Sequence, residues 1–333
     1  MELSIIIVNY RSAALITDCI NSIQAGKPGL GFEIIVVDND SGDDSEGILK
    51  EKFPFVRYIQ MGYNAGFARA NNCGIKASTG KAILLLNPDT LDLDNGIEKA
   101  YVKLMESSHV ACGAQLVFPD GSDQISGSYF MKGGLNLLLA LPYWGRFLRW
   151  LAFKIKVKKP HVLSAGGEVQ VDWISGAFLM VKRSAVEKAG MLDDDFFLYG
   201  EEVEWCSRLG KHGTLALFGD CRIVHIMGEA IADATGTEDK SYANLFDRKG
   251  LQLMVSNTLF VRKKFGIPWM LLHVLNYLWT IPVFLFLGGI KWLFSDKSNP
   301  FIKRFNGFSS NVFKLVGLVP IMAKGKPHFY KML

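Results

Sequence analysis

Ala82-Ile83-Leu84-Leu85-Leu86-Asn87-Pro88-Asp89 is a run of five apolar residues that ends in a turn triplet and a carboxylate. An uninterrupted apolar run of this length reads as a strand covered on both faces, as in a parallel sheet. Such a strand delivers its terminal acid to the rim of the sheet. In open α/β folds, ligands bind at the carboxyl ends of the strands. Residues 32–37 form a second run, which ends in Asp38-Asn39-Asp40. Two acidic strand ends predict a site for a metal-bound, hydrogen-bonding ligand such as a nucleotide diphosphate.

Outward from these two runs, the first 118 residues alternate strand and helix. Strands are expected at 3–8, 32–37, 55–59, 82–86 and 110–118, and helices at 12–24, 43–52, 65–78 and 95–106. This order predicts an α/β fold with a mostly parallel sheet flanked by helices. Ser12 and Asn95 stand where N-caps belong. After the turn at Pro119-Asp120-Gly121, residues 135–159 mix Leu, Trp and Phe with Arg146, Arg149, Lys154, Lys156, Lys158 and Lys159. That mixture suits an interfacial helix within an amphipathic insertion at about 132–160. A strand, a tight turn at Ser175-Gly176-Ala177 and another strand are expected over 169–181. A helix over 201–211 and strands at 214–218 and 221–225 follow.

Hydrophobic residues make up 49% of the 333-residue chain, with a mean hydropathy of +0.18, so membrane contact is in question. The formal charge is +5, and residues 291–333 carry eight Lys/Arg against one acid. A basic tail beside apolar segments fits an anionic lipid surface. There is no aromatic-basic stripe or motif for nucleic acid, so no nucleic-acid partner is expected. The five cysteines are scattered without a C-x-x-C and read as reduced packing thiols. The N-terminal apolar run is too short for a signal peptide and reads as the first core strand. Residues 265–290 carry no formal charge if His273 is neutral, but Pro268, Asn276, Pro282 and Gly288-Gly289 interrupt them. With basic residues on both flanks, a re-entrant hairpin or in-plane helices are expected rather than a single crossing. The chain thus divides into a domain over 1–240 and a helical, membrane-associating region over 241–333. Oligomeric state is left open, a homo-oligomer included.

Four clusters can carry chemistry. Asp38 can accept from the ring N–H of a uracil or thymine, or simply make a turn. Residues 62–72, Gly-Tyr-Asn-Ala-Gly-Phe-Ala-Arg-Ala-Asn-Asn, put small residues at a helix entrance, where a phosphate can approach. Asp89 can ligate a hard cation, which needs only one or two protein carboxylates beside substrate phosphates. His225, at the end of a later strand, is a second ligand candidate if a partner lies nearby. Between Asp193 and Glu204, six carboxylates flank an aromatic cluster. Glu201 and Glu202 open a helix there, and either could be a general base whose pKa is raised by apolar walls.

Taken in order, the pieces S-I-I-I-V-N-Y, V-V-D-N-D, G-Y-N-A-G-F-A-R-A-N-N with L-L-L-N-P-D, and W-I-S-G-A-F-L-M-V with F-F-L-Y-G-E-E-V-E-W-C-S-R resemble family 2 glycosyltransferases of the GT-A fold. The rhamnosyltransferase-like branch is the most similar, and the resemblance covers residues 3–226. It implies inverting transfer of a sugar, with rhamnose from dTDP-rhamnose as one candidate, from a nucleotide diphosphate sugar to a hydroxyl of a lipid-linked or cell-surface glycan. It implies a donor site of Asn9, Tyr10, Asp38, Asn64, Gly66, Asn72, Asn87 and Asp89. Asp89 and His225 would hold Mg²⁺ or Mn²⁺, and Trp173, Gly176 and Ala177 would border the acceptor. Asn87 replaces the first acid of the family's Asp-x-Asp motif. The family's base is an Asp where this chain has Glu202, so Glu201 stays open as the alternative. The expected location is the cytoplasmic face of a bacterial inner membrane, peripheral or monotopic. A Rossmann oxidoreductase would need G-x-G-x-x-G after the first strand, where this chain reads Asn9-Tyr10-Arg11-Ser12-Ala13. The other alternative is a non-catalytic scaffold that binds nucleotide sugars.

Overall fold

A computed structural model describes residues 1–26, 29–154, 156, 161–226, 244–294 and 300–333. Lys158, Lys159, Asp296 and the boundary expected at 240/241 lie outside these residues. The chain forms two compact units. One comprises Met1–Tyr129, His161–Asp194 and Glu201–Lys240, the other Phe130–Pro160, Asp195–Gly200 and Ser241–Leu333.

The first unit is built on β1 (Leu3–Asn9), α1 (Ala13–Ala25), β2 (Phe32–Asp38), α2 (Ser45–Lys52), β3 (Arg57–Gln60), α3 (Gly66–Ala77), β4 (Ala82–Leu86), β5 (Thr90–Asp92), α4 (Gly96–Glu106) and β6 (Ala111–Val117). It continues with β7 (Gly127–Ser128), β8 (His161–Val162), β9 (Glu168–Val171), β10 (Trp173–Ile174), β11 (Phe178–Lys182), α6 (Arg183–Ala189), α7 (Glu201–Leu209) and β12 (Leu215–His225). The main sheet runs β3-β2-β1-β4-β11-β6-β12-β5, with β9 on β12. β1 is parallel to β2 and β4. Its register pairs Asn9 with Asp38 and Ile7 with Leu86, so three strands end at one rim. All five residues of β4 are buried, as its composition requires. Each such aliphatic side chain contributes roughly 1.5–3 kcal/mol.

β11 enters antiparallel between β4 and β6, pairing Phe178 with Leu86 and Met180 with Cys112. The stretch over 169–181 is therefore not a simple pair of strands: β9 joins β12, and β10 joins β7 in a small second sheet. The two strands expected at 214–218 and 221–225 are one, β12, with a register shift between Phe218 and Arg222. Ser12 occupies the N-cap of α1, but its side chain makes no cap bond. Asn9 Oδ1 accepts from Ser12 N instead, at 3.0 Å. Asn95 likewise makes no side-chain cap and adopts a left-handed conformation.

The second unit contains a 3₁₀ segment (Lys132–Ala140), α5 (Trp144–Lys154), α8 (Arg248–Phe265), α9 (Ile267–Leu293) and α10 (Phe301–Lys324). Asp247 caps α8 by accepting from Gly250 N at 2.8 Å. Phe284 gathers Tyr143, Phe246, Phe301, Phe305 and Phe308 around it. α9 is one continuous 27-residue helix with Pro282 inside. A hairpin, one of the two expected arrangements, is thus absent from this segment: Asn276 and Gly288-Gly289 are accommodated in helix. Gly288 is accommodated because Phe301 packs where its Cβ would be. The helix is long and apolar enough to cross a membrane.

Candidate active site

The rim formed by β1, β2 and β4 carries Asn9, Tyr10, Asp38, Asn87 and Asp89 of the expected site residues. Asp38 is buried, and its Oδ2 accepts from Asn9 Nδ2, from Ser41 Oγ at 2.7 Å and from Tyr58 OH at 2.8 Å. Its Oδ1 accepts from Ser41 N at 2.9 Å. Each carboxylate oxygen offers about two acceptor positions, and among the described residues Oδ1 accepts a single hydrogen bond, which leaves it one. Burial and the adjacent Asp38 push the Tyr58 hydroxyl pKa upward, which keeps it a proton donor. Asn9 is fixed from both ends, and Tyr10 follows it with Arg11 over its ring.

Asn39 links this corner to α3. Its Oδ1 accepts from Ala65 N at 2.7 Å, and its Nδ2 donates to Asn64 Oδ1 at 3.0 Å. Asn64 Oδ1 also accepts from Gly66 N at 3.2 Å. The two asparagines thus engage the first amides of α3, where a phosphate was expected. Gly66 is buried at φ 76°, a conformation that suits glycine. Asn72 lies further along α3 and faces the protein. Its Nδ2 donates to Leu192 O and to Asp194 Oδ1, both at 2.8 Å, and its Oδ1 accepts from Leu192 N at 3.0 Å. Placed as donor-binding by resemblance, it serves here to hold the 192–194 segment, because these bonds engage both its amide hydrogens.

The second corner is built by Asn87-Pro88-Asp89. Asn87 N donates to Ala177 O at 3.0 Å, which seats the triplet beside the turn that opens β11. The chain then enters β5, where Thr90 pairs with His225 at the end of β12. That pairing brings Asp89 to His225: Asp89 Oδ1 lies 3.5 Å from His225 Nε2. Asp89 is 3% exposed and His225 6%. Asp89 Oδ1 is buried and makes no hydrogen bond among the described residues. On the other side of the ring, His225 Nδ1 is 3.0 Å from Gln124 Oε1.

The third group is at the start of α7. Gly176 meets the stem of Glu202 and the ring of Phe67, both within van der Waals reach of where its Cβ would be. Asn39 thus bonds Ala65, Asn87 bonds Ala177, and Gly176 lies beside Phe67 and Glu202. Asp38 and Asp89 stand at the carboxyl ends of β2 and β4, and Glu202 belongs to the same unit. Glu201 is buried, and its Oε2 makes no hydrogen bond among the described residues. Burial, and secondarily the charge of Glu202, hold its pKa well above the usual carboxylate range. Trp173 Nε1 is also buried without a partner among the described residues.

A buried carboxylate oxygen and an imidazole nitrogen that face each other without a hydrogen bond fit a divalent cation as donors. Among the described residues no cluster of three or more His, Cys, Asp or Glu is present. The protein would thus supply two ligands, and a bound diphosphate the others. Ser41, Tyr58, Asn39, Phe67 and Gln124 complete the arrangement and were not singled out from sequence. Asn39 sits inside the V-V-D-N-D signal, whereas Gln124, in a loop, has no pattern to mark it.

Residues 4–167 match the Glycosyl transferase family 2 model. Across these residues the chain is a family 2 glycosyl transferase. Its relatives include the low-salt glycan biosynthesis hexosyltransferase Agl10 of Haloferax volcanii, 28% identical over 88% of this chain and 87% of the relative. The N-acetylglucosaminyl-diphospho-decaprenol L-rhamnosyltransferase of Mycobacterium tuberculosis is 28% identical over 56% of this chain and 63% of its own length. Among solved structures, GalNAc-T7 with UDP, GalNAc and Mn²⁺ shares the fold at a TM-score of 0.50 and 13% identity, over 67% of this chain and 43% of that one. The aligned part thus spans less than two thirds of the mycobacterial relative and less than half of the solved chain. The GT-A-like fold and glycosyltransferase class of this enzyme follow from these matches together.

Proposed function

We propose that this glycosyltransferase moves a sugar from a nucleotide diphosphate donor to a hydroxyl of a lipid-linked or cell-surface glycan, with inversion and with a divalent cation. The observation that carries this reading is the bare pair of Asp89 Oδ1 and His225 Nε2, 3.5 Å apart at the strand rim. Mg²⁺ or Mn²⁺ held there would offset the charge that builds on the leaving diphosphate. The open acceptor position on Asp38 Oδ1 suits the ring N–H of uracil or thymine. L-Rhamnose is the sugar favoured by the mycobacterial relative's name, and dTDP-rhamnose is the candidate donor. Glu202 is the favoured base, since its stem borders the Gly176 turn while Glu201 is buried and biased toward its protonated form. Glu202 would take the acceptor proton as the oxygen attacks the anomeric carbon from the face opposite the diphosphate.

The second unit supports attachment to a membrane. α9 leaves Leu271, Leu275, Trp279 and Phe286 exposed, and α5 leaves Phe147, Trp150 and Phe153 exposed beside Arg146, Arg149 and Lys154. Apolar side chains among basic ones fit the surface of anionic lipid. The cytoplasmic face of a bacterial inner membrane is the location consistent with soluble nucleotide sugars.

The test is a thermal-shift and transfer screen of UDP-, dTDP- and GDP-sugars with Mg²⁺ or Mn²⁺. Stabilisation by one nucleotide class that disappears with chelator is expected. Transfer at an equal rate in excess chelator would refute the metal-dependent reading.

A further inference from the structure

The geometry points to Gln124 as a positioning residue that fixes which nitrogen of His225 faces Asp89. This rests on the metal-dependent reading above and adds a residue outside the ligand pair. Gln124 lies in the loop between β6 and β7 and is buried. Its Nε2 donates to the backbone oxygen of His225 at 2.6 Å. That bond sets the orientation of the amide, because a flipped amide would press oxygen against oxygen. Oε1 must then face the ring, 3.0 Å from His225 Nδ1. An amide oxygen only accepts, so Nδ1 carries the proton. In the neutral imidazole, Nε2 is left with its lone pair turned toward Asp89 Oδ1.

Gln124 is itself held in place. Its N donates to Leu116 O at 2.8 Å. Its carbonyl accepts from Gln115 Nε2 at 2.9 Å, and Gln115 Oε1 accepts from Ala165 N at 2.9 Å. Ser126 Oγ accepts from Leu116 N at 2.8 Å. The loop after β6 is thereby fastened to the sheet, and both polar groups of one side chain converge on one histidine. Metal-bound histidines generally depend on such a partner at the second ring nitrogen, and its removal costs about 10–100-fold in metal affinity.

Two measurements on the full-length protein test the assignment, and neither reads activity. The first is Mn²⁺ affinity in the presence of UDP or dTDP, followed by loss of the free-ion EPR signal. Gln124→Leu keeps the approximate volume and removes both bonds, so an affinity about 10–100-fold weaker is expected. Gln124→Glu, protonated on the oxygen that meets the His225 backbone oxygen, keeps both the donor there and an acceptor at Nδ1, and is expected within a few-fold of wild type. The second is ¹⁵N NMR of histidine-labelled wild type without metal, with the His225 resonance assigned from His225→Asn. It is expected to report the Nδ1–H form. A wild type that binds no Mn²⁺ with either nucleotide overturns the metal-dependent reading and the role of Gln124 with it. Wild-type binding with unchanged affinity in Gln124→Leu overturns the role of Gln124 alone. So does an Nε2–H tautomer in the wild type. If Gln124→Leu does not fold, a folded Gln124→Glu that loses more than about tenfold in affinity has the same force.

Discussion

His225 Nε2 faces Asp89 Oδ1 at 3.5 Å inside the protein, and the carboxylate oxygen makes no hydrogen bond among the described residues. The pairing of Thr90 with His225 in the sheet sets this approach. Asp89→Ala is therefore expected to abolish metal-dependent stabilisation by nucleotide. It should lower kcat/KM by about 10²–10⁴-fold, the scale of several kcal/mol of lost charge stabilisation. Its Tm should stay close to wild type, since no hydrogen bond of Oδ1 is lost. Transfer assays and thermal shifts with and without Mn²⁺ read both effects. A wild-type rate would remove Asp89 from the site.

Glu201 and Glu202 separate by substitution with glutamine. Glu202→Gln should keep donor binding while kcat falls by about 10²–10⁴-fold, the usual contribution of a general base. Glu201→Gln replaces a carboxyl already biased toward its neutral form, so kcat should change little. Burial raises the pKa of Glu201, and a raised acid binds its proton more tightly folded than unfolded. The fold is then favoured at low pH and loses stability as pH rises from the unfolded pKa through the folded one. Urea midpoints across pH should show a shallower alkaline decline for Glu201→Gln. A kcat collapse in that variant would exchange the two roles.

Asp92 offers a second pH test, away from the rim. Burial lifts its pKa from 3.8 to about 6, although Oδ1 accepts from Ile97 N at 3.2 Å. The sign is the same: stability falls as pH climbs from about 4 to about 6. Asp92→Asn should be more stable than wild type at neutral pH, by at most about 3 kcal/mol for a shift of this size. The gain should vanish below about pH 4. Equal stability of the two proteins at pH 7 would contradict the shift.

Asn72 makes three hydrogen bonds to the 192–194 segment. Asn72→Ala leaves buried groups unsatisfied and should cost about 1–3 kcal/mol. As that segment precedes α7, kcat should suffer more than donor affinity. Nucleotide affinity that collapses while the Tm holds would return Asn72 to the donor site.

Vesicle flotation tests the aromatic face of α5. Replacing Phe147 and Trp150, both exposed, with serine should weaken binding to anionic vesicles more than tenfold, at roughly 1.5–3 kcal/mol per buried side chain. High salt should weaken the wild type as well. Flotation that ignores both changes would place the lipid contact elsewhere.

Much of this was legible in the sequence because the relevant signals are local. Five apolar residues make β4, and the acid that follows must reach the rim. The strands and helices of the first 118 residues fall close to their expected positions for the same reason. The pairing of β11 was hidden, because Phe178-Leu179-Met180-Val181 carries no mark of its neighbours. The assignment of Asn72 was also hidden, since an amide's partners lie 120 or more residues away. Continuity of α9 depended on packing: Gly288 looks like a breaker until Phe301 fills the space beside it.

The antiparallel insertion of β11 also bears on how the polypeptide matures on the ribosome. β4 is made early, but its partner on one side arrives only with Phe178, which pairs with Leu86. At about 5–20 residues per second, that edge waits several seconds with its peptide groups unpaired. Such a nascent edge invites intermolecular aggregation. Chaperone cover during that interval, more than the final stability of the sheet, is expected to govern the yield of active enzyme.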